Sequence, residues 1–316
     1  MLKLLITRPL PERVVAACEG FDVTVRADVL PMSGDEMRAS LRDYDVVLPT
    51  LRDMYSAEVF ADVPTPRCKL LANFGVGYNH IDVAAARAAG IEVTNTPGAV
   101  TDATADIAMT LMLMVTRRAG EGERLVRSGA WTGWHPTQML GMHLSGKRVG
   151  ILGMGRIGQA IARRCHYGFD MAVHYCSRSP KEAVMETTWH ASPAALAAAV
   201  DVLVVAVPGG SETRHLLDAS VLRALGPQSY LVNIARGDVV DEAALIAALE
   251  AGEIAGAGLD VYEYEPSVPE ALLRREDVVL LPHLGTAALE VREAMGLVAV
   301  ENLRAFLDGR NLPNRV

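Results

Sequence analysis

The sequence predicts an α/β protein of two doubly wound parallel-sheet domains, and two observations carry that prediction. Short apolar runs alternate with helical stretches along most of the 316 residues, as in strand–helix–strand units whose sheets are covered on both faces. One of those runs leads directly into a G-x-G-x-x-G turn that opens a helical segment, the arrangement of a nucleotide-binding unit. The length suffices for two domains of ordinary size.

In the first hundred residues the runs are "LKLLITR", "FDVTVRA", "YDVVLPT", "CKLLANFG" and "IEVTNTP", separated by segments such as "SGDEMRASLRD" and "HIDVAAARAAG" with helical spacing. A long apolar helix is predicted next, over "TDATADIAMTLMLMVTRRAGEGERLVRSG". Its Ser/Thr/Asp-rich start offers caps, and its Met/Leu-rich body implies burial on several sides. A polar loop with two tryptophans, "GAWTGWHPTQMLGMHLSG", follows. The second series is "KRVGILG", "MAVHYC", "VDVLVVAVP", "SYLVNIA", "IAGAGLDV" and "VVLLPH", six strands in two halves of three, as in a complete Rossmann unit. The last stretch, "TAALEVREAMGLVAVENLRAFLDG", is one amphipathic helix with no strand after it.

Composition narrows the function. Half of the residues are hydrophobic, 22% are charged, and the net charge is −8 with no long basic run, which argues against nucleic acid or an anionic membrane surface as partner. The apolar start is cut by Arg8, Pro9 and Pro11, too short for a signal-peptide core or a membrane span. Cys18, Cys68, Cys165 and Cys176 are far apart, with no histidine cluster at metal-ligand spacing. Reduced, core-packing thiols, a cytoplasmic location and no metal are the resulting expectations.

In the glycine turn, Gly153 permits the tight bend, Gly155 lets the backbone approach a pyrophosphate, and Gly158 lets the helix lie against the strand. The phosphates would then meet free N–H groups at the positive end of a helix. A ribose-binding acid belongs about 20 residues further on. At that place stand Ser177 and Arg178, while Asp170 precedes the strand and Glu182 lies beyond its tip. A carboxylate would repel a 2′-phosphate, whereas a hydroxyl beside a guanidinium would grip it. NADPH is therefore expected in preference to NADH.

In open α/β sheets a ligand lies beyond the carboxyl ends of the strands. The last three strand ends reach Arg236, then Asp260 and Glu265, then His283. Reduction of a carbonyl needs a proton donor, which a histidine can be near neutral pH. A carboxylate behind the ring, Glu265, would orient it and favour its protonated form. Arg236 would bind the carboxylate of a keto acid in bidentate fashion and polarise its carbonyl.

The turn "GILGMGRIG" with "VNIARGDVVDEAAL", "GAGLDVYEYEP" and "LLPHLGTA" resembles the D-isomer-specific 2-hydroxyacid dehydrogenases over essentially the whole chain. The resemblance implies that Arg236 binds substrate, that Glu265 pairs with His283, and that His283 is the acid/base. It places Asp260 against the nicotinamide carboxamide and Thr104 at the pyrophosphate. The implied cofactor set further includes Arg156, Ile157, Val207, Pro208, Thr213, Ala235 and Gly285. "NFGVGYNHID" is similar to the family's substrate loop, in which the N–H groups of Val76 and Gly77 hold the carboxylate. Leu51 and Phe74 would line the same pocket.

The resemblance also implies a discontinuous, flavodoxin-like substrate domain, residues 1–98 plus 287–316, and a dinucleotide-binding domain over 99–286, with a cleft that closes over the cofactor. "WTGWHPTQMLG" resembles the loop of glyoxylate and hydroxypyruvate reductases that reaches the partner subunit's site. Trp134 is the matching residue, either a substrate contact or an interface anchor, in a homodimer formed through the long helix and this loop. Glyoxylate or hydroxypyruvate is the implied substrate, to give a D-2-hydroxy acid. 2-Ketogluconate, an arylpyruvate or a dinucleotide-sensing corepressor role are the alternatives.

Overall fold

A computed structural model describes residues 1–316. The chain divides into two compact units, one of Met1–Val100 with Ala287–Val316 and the other of Thr101–Thr286.

The first unit is built on five parallel strands: β1 (Leu2–Ile6), β2 (Phe21–Val25), β3 (Val46–Leu48), β4 (Leu70–Ala72) and β5 (Glu92–Thr94). Their order, β2-β1-β3-β4-β5, is that of the flavodoxin-like doubly wound sheets. The central strands β3 and β4 are buried at every position, which is why they read as unbroken apolar runs. On one face, Met37, Leu41, Phe60, Ile81 and Ile91 close over the sheet. The other face is covered by the terminal helix Leu289–Leu307, whose Ala299, Val300 and Leu303 pack on Leu4, Ile6, Leu48 and Leu70. That helix needs no strand after it because it covers a sheet made at the other end of the chain.

The second unit carries seven parallel strands: β6 (Arg148–Leu152), β7 (Ala172–Cys176), β8 (Thr187–His190), β9 (Val202–Val205), β10 (Tyr230–Asn233), β11 (Gly256–Leu259) and β12 (Val278–Leu280). They run in the order β12-β11-β10-β9-β6-β7-β8. Six are the expected runs, and β8, "TTWH", is an addition. It is an edge strand with no buried residue, so it lacks the apolar run by which the others are recognised. It completes the first nucleotide-binding half as β6, β7 and β8, leaving four strands in the second.

The long apolar helix is two helices, Thr101–Thr116 and Ala119–Arg127. The break falls at Arg118, which adopts a left-handed φ of 52° and pairs with Glu121. Ala105, Ala108, Leu111 and Met112 of the first helix are fully buried against the sheet of their own unit. The Met/Leu stripe is thus core, and a partner subunit could reach only the remaining face. The second helix has no buried residue.

All four cysteines are buried and unpaired. Burial pushes the thiols of Cys18 and Cys165 up to about 11 and about 12, which suits packing rather than reactivity. No helix is long and apolar enough to cross a membrane.

Candidate active site

The nucleotide turn follows β6. Gly153 has φ +101°, and a Cβ there would stand 2.7 Å from the carbonyl carbon of Ala206, just past β9. At Gly158 a Cβ would stand 2.1 Å from the Gly153 carbonyl oxygen. Both positions therefore exclude any side chain. A Cβ on Gly155 would meet nothing within 4 Å, so the backbone there lies open to a ligand. Gly155 is the N-cap of the Arg156–Phe169 helix and supplies no side-chain cap, so the first N–H groups, including those of Arg156 and Ile157, remain for an anion. The turn fits a pyrophosphate.

Beyond β7 the chain bends through Ser177, Arg178 and Ser179. The Ser177 hydroxyl donates to the Ser179 carbonyl at 2.7 Å, and the Trp189 indole N–H donates to the Ser177 carbonyl at 3.2 Å. Arg178 extends into solvent, 97% exposed, with its nearest carboxylate, Glu212, 4.0 Å away. Trp189 is a contributor that the sequence reading missed, because it sits on the strand β8 that carried no apolar signal. The β-branched and aromatic run "TTW" before a Ser-Pro helix start is the cue that could have located it. After β9, Val207 and Pro208 lead into a turn in which the Thr213 hydroxyl donates to the Pro208 carbonyl at 2.8 Å.

The remaining candidates cluster where β10, β11 and β12 end side by side. Asn233, the last residue of β10, accepts from the Ala235 N–H (3.0 Å) and donates to the Arg236 carbonyl (2.9 Å), fixing the backbone that carries the guanidinium. Arg236 Nη1 in turn donates to the Ala235 carbonyl at 2.6 Å. Past β11, the buried Asp260 carboxylate accepts from the N–H groups of Leu284 (2.6 Å) and Gly285 (2.9 Å). The His283 N–H donates to the Asp260 carbonyl at 3.0 Å. These bonds hold His283 at a left-handed φ of 57°, a conformation that a non-glycine residue adopts only under constraint. The Thr104 hydroxyl donates to the Gly285 carbonyl at 3.2 Å, tying the start of the long helix to this turn.

Glu265 Oε2 lies 3.0 Å from His283 Nδ1, and its Oε1 accepts from the Tyr262 N–H at 3.2 Å. With Nδ1 engaged, Nε2 is the ring nitrogen left for a ligand. Burial alone would raise the Glu265 pKa, but the hydrogen bond and charge of His283, the Tyr262 N–H and Arg236 together hold it below the usual carboxylate range. Burial lifts Asp260 above that range, opposed by the Leu284 N–H and His283. Burial also lowers Arg236, against the pull of Glu265, and a guanidinium so placed stays charged.

Hydrogen bonds join Asp260, Glu265, His283, Gly285 and Thr104, and Arg236, held with Ala235 by Asn233, lies near enough for its charge to act on Glu265. Leu51, Phe74, Val76 and Gly77 belong to the first unit, where the Phe74 N–H donates to the Pro49 carbonyl at 2.9 Å and Thr50 bridges to Phe74. Trp134 stands on the surface of the second unit, 79% exposed. No group of three His, Cys, Asp or Glu side chains converges to hold a metal ion.

A parallel sheet that ends in a phosphate-accepting turn on one side and an imidazole–carboxylate pair on the other is the framework of a nucleotide-dependent oxidoreductase. Residues 109–285 match the NAD binding domain of the D-isomer specific 2-hydroxyacid dehydrogenases. The chain is 43% identical over 321 residues to glyoxylate reductase of Thermococcus onnurineus, covering 99% of this chain and 95% of that protein. It is 39% identical over 315 residues to glycerate dehydrogenase of Hyphomicrobium methylovorum, covering 98% and 97%. A solved structure of the NADPH-dependent glyoxylate/hydroxypyruvate reductase of Sinorhizobium meliloti, in complex with NADP and malonate, is similar with a TM-score of 0.89 at 38% identity. That match covers 100% of this chain and 96% of that one. The chain belongs to the family of D-isomer-specific 2-hydroxyacid dehydrogenases.

The depressed Glu265 carboxyl makes a pH prediction. Its contribution to stability is complete above the unfolded carboxylate pKa, about 4.3, and is lost as pH falls through the lower folded value. Urea midpoints of wild type and Glu265→Gln should therefore differ more at pH 6 than at pH 3, and a constant difference would contradict the assignment.

Proposed function

We propose that the protein reduces a small 2-keto acid, glyoxylate or hydroxypyruvate, to the D-2-hydroxy acid with NADPH. The observation that carries this reading is the 3.0 Å pair of Glu265 and His283 beside Arg236. In this reading the turn at Gly153 and Gly155, the start of the helix at Arg156 and Ile157, and Thr104 serve the pyrophosphate. Val207, Pro208, Thr213, Ala235, Asp260 and Gly285 serve the rest of the cofactor. When bound, the reduced nicotinamide supplies hydride to the carbonyl carbon. His283 Nε2 gives the proton to the carbonyl oxygen, and Glu265 at Nδ1 holds the ring and stabilises its charged form. Arg236 binds the keto acid and polarises its carbonyl, drawing electron density toward the oxygen that is protonated. The Val76 and Gly77 amides take the substrate carboxylate, and Leu51 and Phe74 line the pocket. Names of relatives favour the same substrates: glyoxylate reductase, glycerate dehydrogenase and glyoxylate/hydroxypyruvate reductase.

NADPH is preferred in this reading because the tip of β7 offers the Ser177 hydroxyl and the extended Arg178 guanidinium to a 2′-phosphate. A homodimer is part of it as well. Trp131, Trp134, Leu140 and Val126 are each more than half exposed, an unusual set of large apolar side chains for one loop and the helix before it.

Four measurements test these statements. With NADPH and a panel of 2-keto acids, loss of nicotinamide absorbance should be fastest with glyoxylate or hydroxypyruvate. His283→Ala should lower kcat by about 100- to 10,000-fold with NADPH affinity nearly intact, and equal loss of cofactor binding would assign His283 to architecture. Arg178→Ala should reduce kcat/KM for NADPH about 10- to 100-fold and spare NADH; a parallel fall with both would refute the phosphate role. Sedimentation should give about twice the 33.9 kDa chain mass, and a monomer at all concentrations would remove the interface.

A further inference from the structure

In the proposed reaction, backbone amides of the first unit hold the substrate carboxylate, and the same loop shows what aims them. Asn73, fully buried just past β4, donates through Nδ2 to the carbonyls of Gly75 at 3.0 Å and Gly77 at 3.1 Å. Asn95 Nδ2 donates to the carbonyl between them, Val76, at 2.9 Å. The Thr96 N–H adds a second bond to the Gly75 carbonyl at 3.0 Å.

In a planar trans peptide, the C=O of one residue and the N–H of the next point in opposite directions. Three consecutive gripped carbonyls therefore turn three N–H groups, those of Val76, Gly77 and Tyr78, away from the amides that hold them. None of the three donates to a group within the chain. Successive free N–H groups of this kind are suited to an anion.

The arrangement depends on which way round the Asn73 amide sits. His80, itself buried, places Nε2 at 3.0 Å from Asn73 Oδ1. The two loop carbonyls can only accept, so Nδ2 must face them and Oδ1 must face the imidazole. His80 Nε2 accordingly carries a proton and donates it. Without that donor the amide could reverse, setting Oδ1 against two carbonyl oxygens and releasing the loop.

We propose that His80 is a positioning residue for the substrate: through Asn73 it fixes the peptide orientations of residues 75–78, and so sets affinity for the carboxylate of a 2-keto acid. The inference rests on the proposed role of the Val76 and Gly77 amides. A role confined to folding would affect cofactor and substrate alike, whereas this one separates them.

The test titrates oxalate, a non-reducible dicarboxylate of glyoxylate size, into the full-length protein with NADP+ present, by calorimetry. His80→Ala should weaken oxalate about tenfold, and His80→Gln, which returns an amide N–H to Asn73 Oδ1, should recover affinity to within about threefold. NADPH affinity should be the same in all three proteins. Unchanged oxalate binding in the alanine variant, no recovery in the glutamine variant, an equal loss of NADPH binding, or no oxalate binding by wild type would each overturn the proposal. Oxalate binding that responds to His80 in a protein that does not oxidise NADPH with any 2-keto acid would instead overturn the proposed reaction and leave the positioning role standing.

Discussion

Parallel pairing of β10, β11 and β12 is the constraint on which the candidate site depends. In the ladder Asn233 stands beside Leu259, and Leu259 beside Leu280. Each strand therefore ends on the same line, and whatever follows it emerges at one edge of the sheet. Arg236, Asp260 and His283 lie only a few residues past that line. Their proximity is a consequence of register, not of attraction between them. A parallel sheet also needs a crossover after every strand, and those crossovers cover both faces and leave the strand ends as the open place for chemistry.

What register brings near, hydrogen bonds then aim. Asp260 spends its carboxylate on two backbone N–H groups, which fixes the turn that carries His283 rather than touching the ring. Glu265 does touch the ring, and its opposing influences show how the pair is balanced. Burial disfavours the carboxylate, yet a donor at 3.0 Å and a nearby guanidinium outweigh it. A buried carboxylate that stays ionised keeps the imidazole oriented and favours its charged form. Asn233 plays the corresponding part for Arg236, gripping the backbone on both sides of the residue.

The same division of labour recurs at the nucleotide end and in the first unit. At the glycine turn the backbone lies open at Gly155, and the absence of side chains at Gly153 and Gly158 is what lets strand, turn and helix approach. In the loop after β4, Asn73 and Asn95 turn carbonyls inward and leave N–H groups unpaired. In that loop, side chains that would touch no ligand decide the direction of the amides that would.

The sequence by itself determined the doubly wound class, eleven of the twelve strands and the glycine turn, because burial on both faces and a tight strand-to-helix turn demand particular residue types at short spacing; it also marked Arg236, Glu265 and His283 as ionisable groups just past neighbouring strands. Strand β8 escaped it, since an edge strand half in solvent carries no continuous apolar run. The single long helix resolved into two because Arg118 takes a left-handed conformation, which no residue type there announces. Only the tertiary structure decided that the Met/Leu stripe is core, that Trp189 grips the Ser177 carbonyl, and that His80 faces Asn73. Those facts rest on contacts between segments distant along the chain or on the sense of a single amide. A linear pattern records how often an apolar residue recurs, but not which neighbour the folded chain will set against it.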